Sequence, residues 1–141
     1  MGSSIVKGLL LDTHTWIWLM EGKELNLSVQ KIINDAAKEK SINIAAISTW
    51  EIAMLVSKGK VKLEKPLLAW IQDSLALPGV ALKPLTPEVS VESTALPEGF
   101  HGDPADRLIV ATARIYQLTL LTRDQKILDY AKKHFVSAMP V

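Results

Sequence analysis

The stretch that decides the fold is His101-Gly102-Asp103-Pro104-Ala105-Asp106-Arg107, followed by the apolar run Leu108-Ile109-Val110-Ala111. Aspartate is favoured at a helix N-cap and proline at the first helical position, so this stretch predicts a helix from Pro104 to Tyr116. Two carboxylates, those of Asp103 and Asp106, therefore lie beside or within one helical turn. Three further acids fall at or near the start of other predicted helices: Asp12, Glu51 and Asp124. Acids repeated at such junctions indicate one shared site.

The composition is that of one globular domain. The chain has 141 residues, 48% of them hydrophobic and 22% charged, which argues against disorder and predicts a single domain over residues 1–141. Residues 1–4 are set aside as a terminus that need not be ordered. The formal net charge of +1 gives no overall sign of nucleic-acid binding, so any basic surface must be local.

The chain contains no cysteine. This excludes disulfides, thiolate zinc sites and cysteine nucleophiles, and it fits a reducing, cytoplasmic location. No apolar run approaches the ~20 residues that span a bilayer, and the N-terminus does not have the pattern of a signal peptide.

Predicted strands and helices alternate along the chain. Short apolar runs predict strands at residues 5–11, 42–45, 80–82 and 118–122, with a last candidate at Phe135-Val136. Ser28 is a plausible N-cap for the second helix, and Ser48-Thr49-Trp50-Glu51 matches a capping box. This alternation predicts an α/β fold with a parallel sheet between two layers of helices.

In an open parallel sheet, the loops at the carboxyl ends of the strands form the ligand crevice. Asp12 follows the first strand and Asp124 a late one, so we expect Asp12, Glu51, Asp106 and Asp124 to converge there. Converging carboxylates repel each other, and a hard cation such as Mg²⁺ or Mn²⁺ would compensate them. No two histidines have metal-ligand spacing, which argues against zinc. The hypothesis is a divalent-metal site that cleaves phosphodiesters.

Each acid taken singly is at least equally well explained as a helix cap, because helix N-termini favour negative charge. The capping role is clearest for Asp103, which therefore ranks below Asp106 as a metal ligand. It is the whole set that favours a site.

Four motifs carry a resemblance to a known family: Asp12-Thr13-His14, Ser48-Thr49-Trp50-Glu51, Asp103–Ala113 and Leu121-Thr122-Arg123-Asp124. Together and in this order they resemble the acidic motifs of PIN-domain nucleases, in particular the VapC-like toxins of type II toxin–antitoxin systems. The resemblance implies a three-layer α/β/α fold and a Mg²⁺- or Mn²⁺-dependent ribonuclease, usually dimeric and held inactive by a cognate antitoxin. It also implies that Asp12, Glu51, Asp106 and Asp124 are the metal-site acids, with Asp12 and Asp106 the most direct ligands.

Two other classes stay open from the residues alone. A haloacid-dehalogenase-like phosphatase would share an early aspartate, but its chemistry needs a second aspartate where this chain has His14. A non-catalytic binding module would use the acids only as caps.

Several polar residues near the acids have alternative roles. Thr13 and Thr122 could orient carboxylates by hydrogen bonds, although Thr122 is equally a capping hydroxyl. Arg107 and Arg123 could contact a phosphate or form salt bridges to the neighbouring acids. Structural roles are favoured for His14 and His101.

Trp16 and Trp18 lie two residues apart on one predicted helix, so they cannot both face the core. One of them is therefore expected at the surface, where it could mark an interaction site.

Overall fold

The computed structural model describes residues 8–23 and 25–141. In this part of the chain the strands are β1 Leu9–Leu11, β2 Ile42–Ala45, β3 Val80–Lys83, β4 Thr119–Thr122 and β5 Ser137–Pro140. The helices are α1 Thr13–Met20, α2 Leu27–Lys38, α3 Ala46–Ser57, α4 Leu67–Leu75, α5 Pro87–Thr94, α6 Pro104–Tyr116 and α7 Gln125–Lys132. The predicted start of the first strand, Ile5-Val6-Lys7, lies outside the described residues.

The strands form one parallel sheet in the order β3-β2-β1-β4-β5. The chain runs outward from β1 through β2 to β3, then crosses back to place β4 and β5 on the other side of β1. The direction of winding therefore reverses between β1 and β4. Leu11 is in register with Ile44 on one side and Leu121 on the other, so three strands end at the same edge. Ligand crevices in such sheets lie at this reversal point.

The sheet is buried on both faces, as parallel sheets usually are. Successive side chains of a strand point to opposite faces, so Leu10 enters one core while Leu9 and Leu11 enter the other. The first core contains residues of α5, α6 and α7, and the second contains residues of α1, α2 and α4. Trp16 and Trp70 pack edge to face in the second core, with ring centroids 5.0 Å apart. The predicted three-layer α/β/α class with a parallel sheet is confirmed.

Three local predictions were wrong. The N-cap of α2 is Asn26, whose side chain accepts from the Val29 N–H at 2.9 Å, while Ser28 lies inside the helix. Helix α3 begins at Ala46 with no side-chain cap, so Ser48 and Glu51 do not form a capping box. The last strand begins at Ser137, opposite Thr119 of β4, two residues later than predicted.

Among the described residues, no helix combines the length and apolar character needed to cross a membrane.

Candidate active site

Asp12 is held through both carboxylate oxygens at the carboxyl end of β1. Its Oδ1 accepts from the Thr15 N–H at 2.8 Å, so Asp12 is the N-cap of α1. Its Oδ2 accepts a short hydrogen bond from the Thr122 hydroxyl, at the end of the neighbouring strand β4. The backbone N–H of Asp12 also donates to the Leu121 carbonyl, 3.1 Å away. These bonds fix the carboxylate where β1 and β4 end.

Thr122 connects Asp12 to Asp124. The fully buried Thr122 hydroxyl donates to Asp12 and accepts from the Asp124 N–H at 2.9 Å. Asp124 caps α7, with its Oδ1 accepting from the Lys126 N–H at 2.8 Å. Its Oδ2 makes no hydrogen bond within the described part of the chain. Thr122 therefore orients the Asp12 carboxylate, and Asp124 itself caps α7.

Glu51 lies in the second turn of α3 and is held from α1. The buried Thr13 hydroxyl donates a short hydrogen bond to Glu51 Oε1 and lies 2.9 Å from Ser48 Oγ. Ser48 and Glu51 are three residues apart, so both face the same neighbour on the helix surface. The half-buried Glu51 carboxylate is thus fixed beside the residue that follows Asp12.

Asp103 and Asp106 have different structural roles. Asp103 is exposed and caps α6, accepting from the Asp106 N–H at 2.8 Å. Asp106 is half-buried in the first turn of α6. Gly102 packs closely against it, because a Cβ added at Gly102 would lie 2.8 Å from Asp106 Cβ and 2.4 Å from Phe100 Cε2. The helix boundaries Pro104–Tyr116 agree with the prediction.

The pKa of Asp106 is raised from 3.8 to about 6. Burial of the carboxyl group is the main cause, and the negative charges of Asp103, Asp124 and Glu51 raise the pKa further. The hydrogen bond at Asp103 acts in the opposite direction. Acids from α3, α6 and the start of α7 therefore share one electrostatic environment, and Thr122 and Thr13 connect Asp12 to it.

The donor set consists of carboxylate and hydroxyl oxygens, which suits a hard cation. Within residues 8–23 and 25–141, however, no three acidic or histidine side chains are arranged as joint direct ligands of one ion. An ion at this site would therefore be held by one or two carboxylates and by water, a common arrangement for Mg²⁺.

Neither nearby arginine pairs with these acids in the described structure. Arg107 Nε donates to the Gly102 carbonyl at 3.1 Å. Arg123 Nε donates to the Val141 carbonyl at 3.0 Å, and its guanidinium lies over Trp18, 4.2 Å from the ring centroid. The salt-bridge alternative for both residues was wrong.

The two tryptophans of α1 divide as expected. Trp16 is buried, whereas Trp18 is partly exposed and also contacts His14, with ring centroids 5.9 Å apart.

The sequence predicted Ser48 only as a helix cap and predicted no role for Gly102. The three-residue spacing of Ser48 and Glu51 could have indicated that both side chains face the same neighbour. No pattern in the sequence indicates that Gly102 packs closely against Asp106.

Comparisons with known proteins identify the family and agree with this fold. A model of the PIN domain matches residues 9–133. The chain therefore belongs to the PIN-domain family, and the resemblance inferred from the four acidic motifs is confirmed.

Ribonuclease VapC22 of Mycobacterium tuberculosis is 36% identical over 120 residues, which cover 84% of this chain and 88% of that protein. Among solved structures, VapBC2 from Rickettsia felis bound to a promoter DNA fragment superimposes with a TM-score of 0.70 at 17% identity, covering 94% of this chain and 97% of that one. FitAcB from Neisseria gonorrhoeae gives a TM-score of 0.64 at 23% identity, covering 93% and 96%. These structural likenesses establish the shared fold.

Proposed function

We propose that this protein is a metal-dependent endoribonuclease toxin that hydrolyses RNA phosphodiesters and is inhibited by a cognate antitoxin. The observation that carries the proposal is the crowding of Asp106 by the charges of Asp103, Asp124 and Glu51 where three parallel strands end. A structural helix cap does not require three other carboxylates near it. A bound cation would offset the mutual repulsion of these carboxylates.

The residues assigned to the site are Asp12, Glu51, Asp106 and Asp124. Asp12 and Asp106 are the proposed direct ligands, while Glu51 and Asp124 act through water, and Asp103 ranks lower because it caps α6. When bound, Mg²⁺ or Mn²⁺ would supply a water of lowered pKa and positive charge beside the phosphate. Thr122 and Thr13 keep the carboxylates of Asp12 and Glu51 from rotating, which lowers the entropy lost on binding.

The proposed partners are RNA as substrate, an antitoxin and a second copy of this chain. Support comes from the similarity to a ribonuclease and from solved VapBC and FitAB complexes of the same fold. We also propose that the chain is a single domain that acts in the cytoplasm.

Cleavage assays test the proposal directly. The purified protein should cut single-stranded RNA when Mg²⁺ or Mn²⁺ is added and should not cut it in EDTA. Asp12→Asn and Asp106→Asn should each lose at least about a hundredfold in rate, since both ligands are needed to hold the ion. The matched control is Asp35→Asn, an exposed acid of α2 paired with Lys31. Cleavage that persists in both site variants would overturn the assignment.

A non-catalytic binding module is favoured by one observation, the lack of a ready three-ligand cluster among the described residues. Calorimetric titration with Mn²⁺ separates the two functions. The nuclease should bind the ion, and Asp106→Asn should weaken that binding. A module that uses its acids only as caps should give no heat of binding in either protein.

A further inference from the structure

The Arg123 guanidinium is fixed in place by two contacts. It lies over the indole of Trp18, 4.2 Å from the ring centroid, and its Nε donates to the Val141 carbonyl at 3.0 Å. Arg123 stands between Thr122 and Asp124, both part of the acidic site. Its position next to these acids would favour an ion pair, yet Arg123 pairs with no side-chain carboxylate in the described part of the chain.

This arrangement leaves the terminal amino groups of Arg123 available. Within residues 8–23 and 25–141 they have no hydrogen-bond partner, and the side chain is exposed. The same Trp18 ring contacts His14 at 5.9 Å. We call these three residues, Arg123, Trp18 and His14, the Arg123–Trp18 platform. It presents a held cation and an aromatic surface at the rim of a strongly acidic site.

We propose that the Arg123–Trp18 platform binds a backbone phosphate of single-stranded RNA beside the phosphodiester that is cleaved. This inference rests on the proposed ribonuclease function and adds a substrate-binding residue to it. The guanidinium matches two phosphate oxygens, and stacking on an aromatic ring orients it before the substrate arrives. A fixed cation is needed here because the carboxylates repel RNA and a net charge of +1 offers no general attraction.

Binding of a fluorescent single-stranded RNA oligonucleotide in EDTA tests the platform without cleavage. Arg123→Ala should weaken binding about tenfold and reduce the slope of log K against log salt by about 0.7, the value for one phosphate contact on a single strand. Arg123→Lys keeps the charge and should keep the slope, but it should still bind several-fold more weakly because it lacks the planar fork.

Trp18→Leu tests whether stacking matters. It should weaken binding about threefold at an unchanged salt slope, because the charge remains. Adding Trp18→Leu to Arg123→Ala should then have little further effect, since the ring acts through the guanidinium. Melting temperatures of all variants separate a loss of binding from a loss of folding.

Lys38→Ala is the matched control. Lys38 is an exposed cation in the last turn of α2, just before β2 and hence at the opposite end of the sheet from the acids. Lys38→Ala should leave the RNA affinity and the slope of log K against log salt nearly unchanged. The platform is refuted if Arg123→Ala binds RNA within twofold of the unmodified protein at an unchanged slope. It is also refuted if that variant loses only its binding to a purified antitoxin.

The outcomes also separate this inference from the proposed function. RNA binding that depends on Arg123, without metal-dependent cleavage, would refute the ribonuclease and the position beside a cleaved bond, but would keep Arg123 as an RNA-binding residue. Cleavage with RNA binding that is insensitive to Arg123 would refute the platform alone.

Discussion

Replacing Asp106 by asparagine should stabilise the metal-free protein at neutral pH, even though it should abolish activity. The substitution keeps the size and shape of the side chain and removes a charge that burial and three neighbouring carboxylates disfavour. The pKa of Asp106 rises from 3.8 to about 6, and each unit is equivalent to about 1.4 kcal/mol. Asp106 is only half-buried, so solvent screens the interaction and we expect a gain on the order of 1–2 kcal/mol.

The direction of the pH dependence follows from the raised pKa. The folded protein holds the Asp106 proton more tightly than the unfolded chain, so the stabilisation due to that proton is complete below about pH 4 and is lost as the pH rises through about 6. Asp106→Asn should therefore melt about 3–8 °C higher than the unmodified protein at pH 7.5 in EDTA. At pH 4 the two proteins should melt at nearly the same temperature.

The assay is thermal unfolding at both pH values, with and without Mg²⁺. Mg²⁺ should raise the melting temperature of the unmodified protein and narrow its difference from Asp106→Asn, because the ion neutralises the same repulsion. Asp35→Asn should change little at either pH, since its carboxylate is exposed. An Asp106→Asn protein no more stable at pH 7.5, or equally stabilised at both pH values, would refute the reasoning.

Two further substitutions test how the site is held. Thr122→Val should lower the free energy of unfolding by about 1–2 kcal/mol and weaken metal binding at least tenfold, because Asp12 Oδ2 and the Asp124 N–H both lose their partner. Thr112→Val is the control: the Thr112 hydroxyl donates only to the Leu108 carbonyl, so this variant should lose stability without losing metal affinity. Gly102→Ala should weaken Mn²⁺ binding in calorimetry, because its Cβ would lie 2.8 Å from Asp106 Cβ. It should also lower stability by about 1–3 kcal/mol, because the same atom would lie 2.4 Å from Phe100 Cε2. Gly59→Ala is the control, because Gly59 has a φ of 71° and its added Cβ would face open space. This variant should lower only stability. Equal metal affinity in the two glycine variants would contradict the proposed role of Gly102.

The main elements of the fold were predictable because each carries a local signal. Asp103 and Pro104 determine where α6 begins, and the structure places that helix at the predicted residues. The errors fall where two signals compete or where none exists. Asn26 and Ser28 are both good cap residues, and in the structure Asn26 is the cap, accepting from the Val29 N–H. The start of β5 depends on its pairing with β4, and the sequence of residues 135–140 alone does not determine that pairing.

The location of the candidate site was also predictable, whereas its internal contacts were not. Strand order places the ends of β1, β2 and β4 side by side, and the alternating pattern implies a parallel sheet of this kind. The hydrogen bond from Thr13 to Glu51 depends on how α1 packs on α3, and the position of Arg123 over Trp18 depends on side-chain torsions. These are tertiary effects, and no short motif encodes them.

The bond between Thr122 and Asp12 joins residues 110 positions apart in the chain. Central strand β1 is made first during synthesis, yet its pairing with β4 must wait until residues 119–122 have emerged. Contacts of such long sequence separation form late in folding, because the intervening chain loses much entropy when the loop closes. An incomplete chain thus carries Asp12, Glu51 and Asp106 without the strand that aligns them. For the ribonuclease proposed above, this order of assembly would delay activity until β4 has been made.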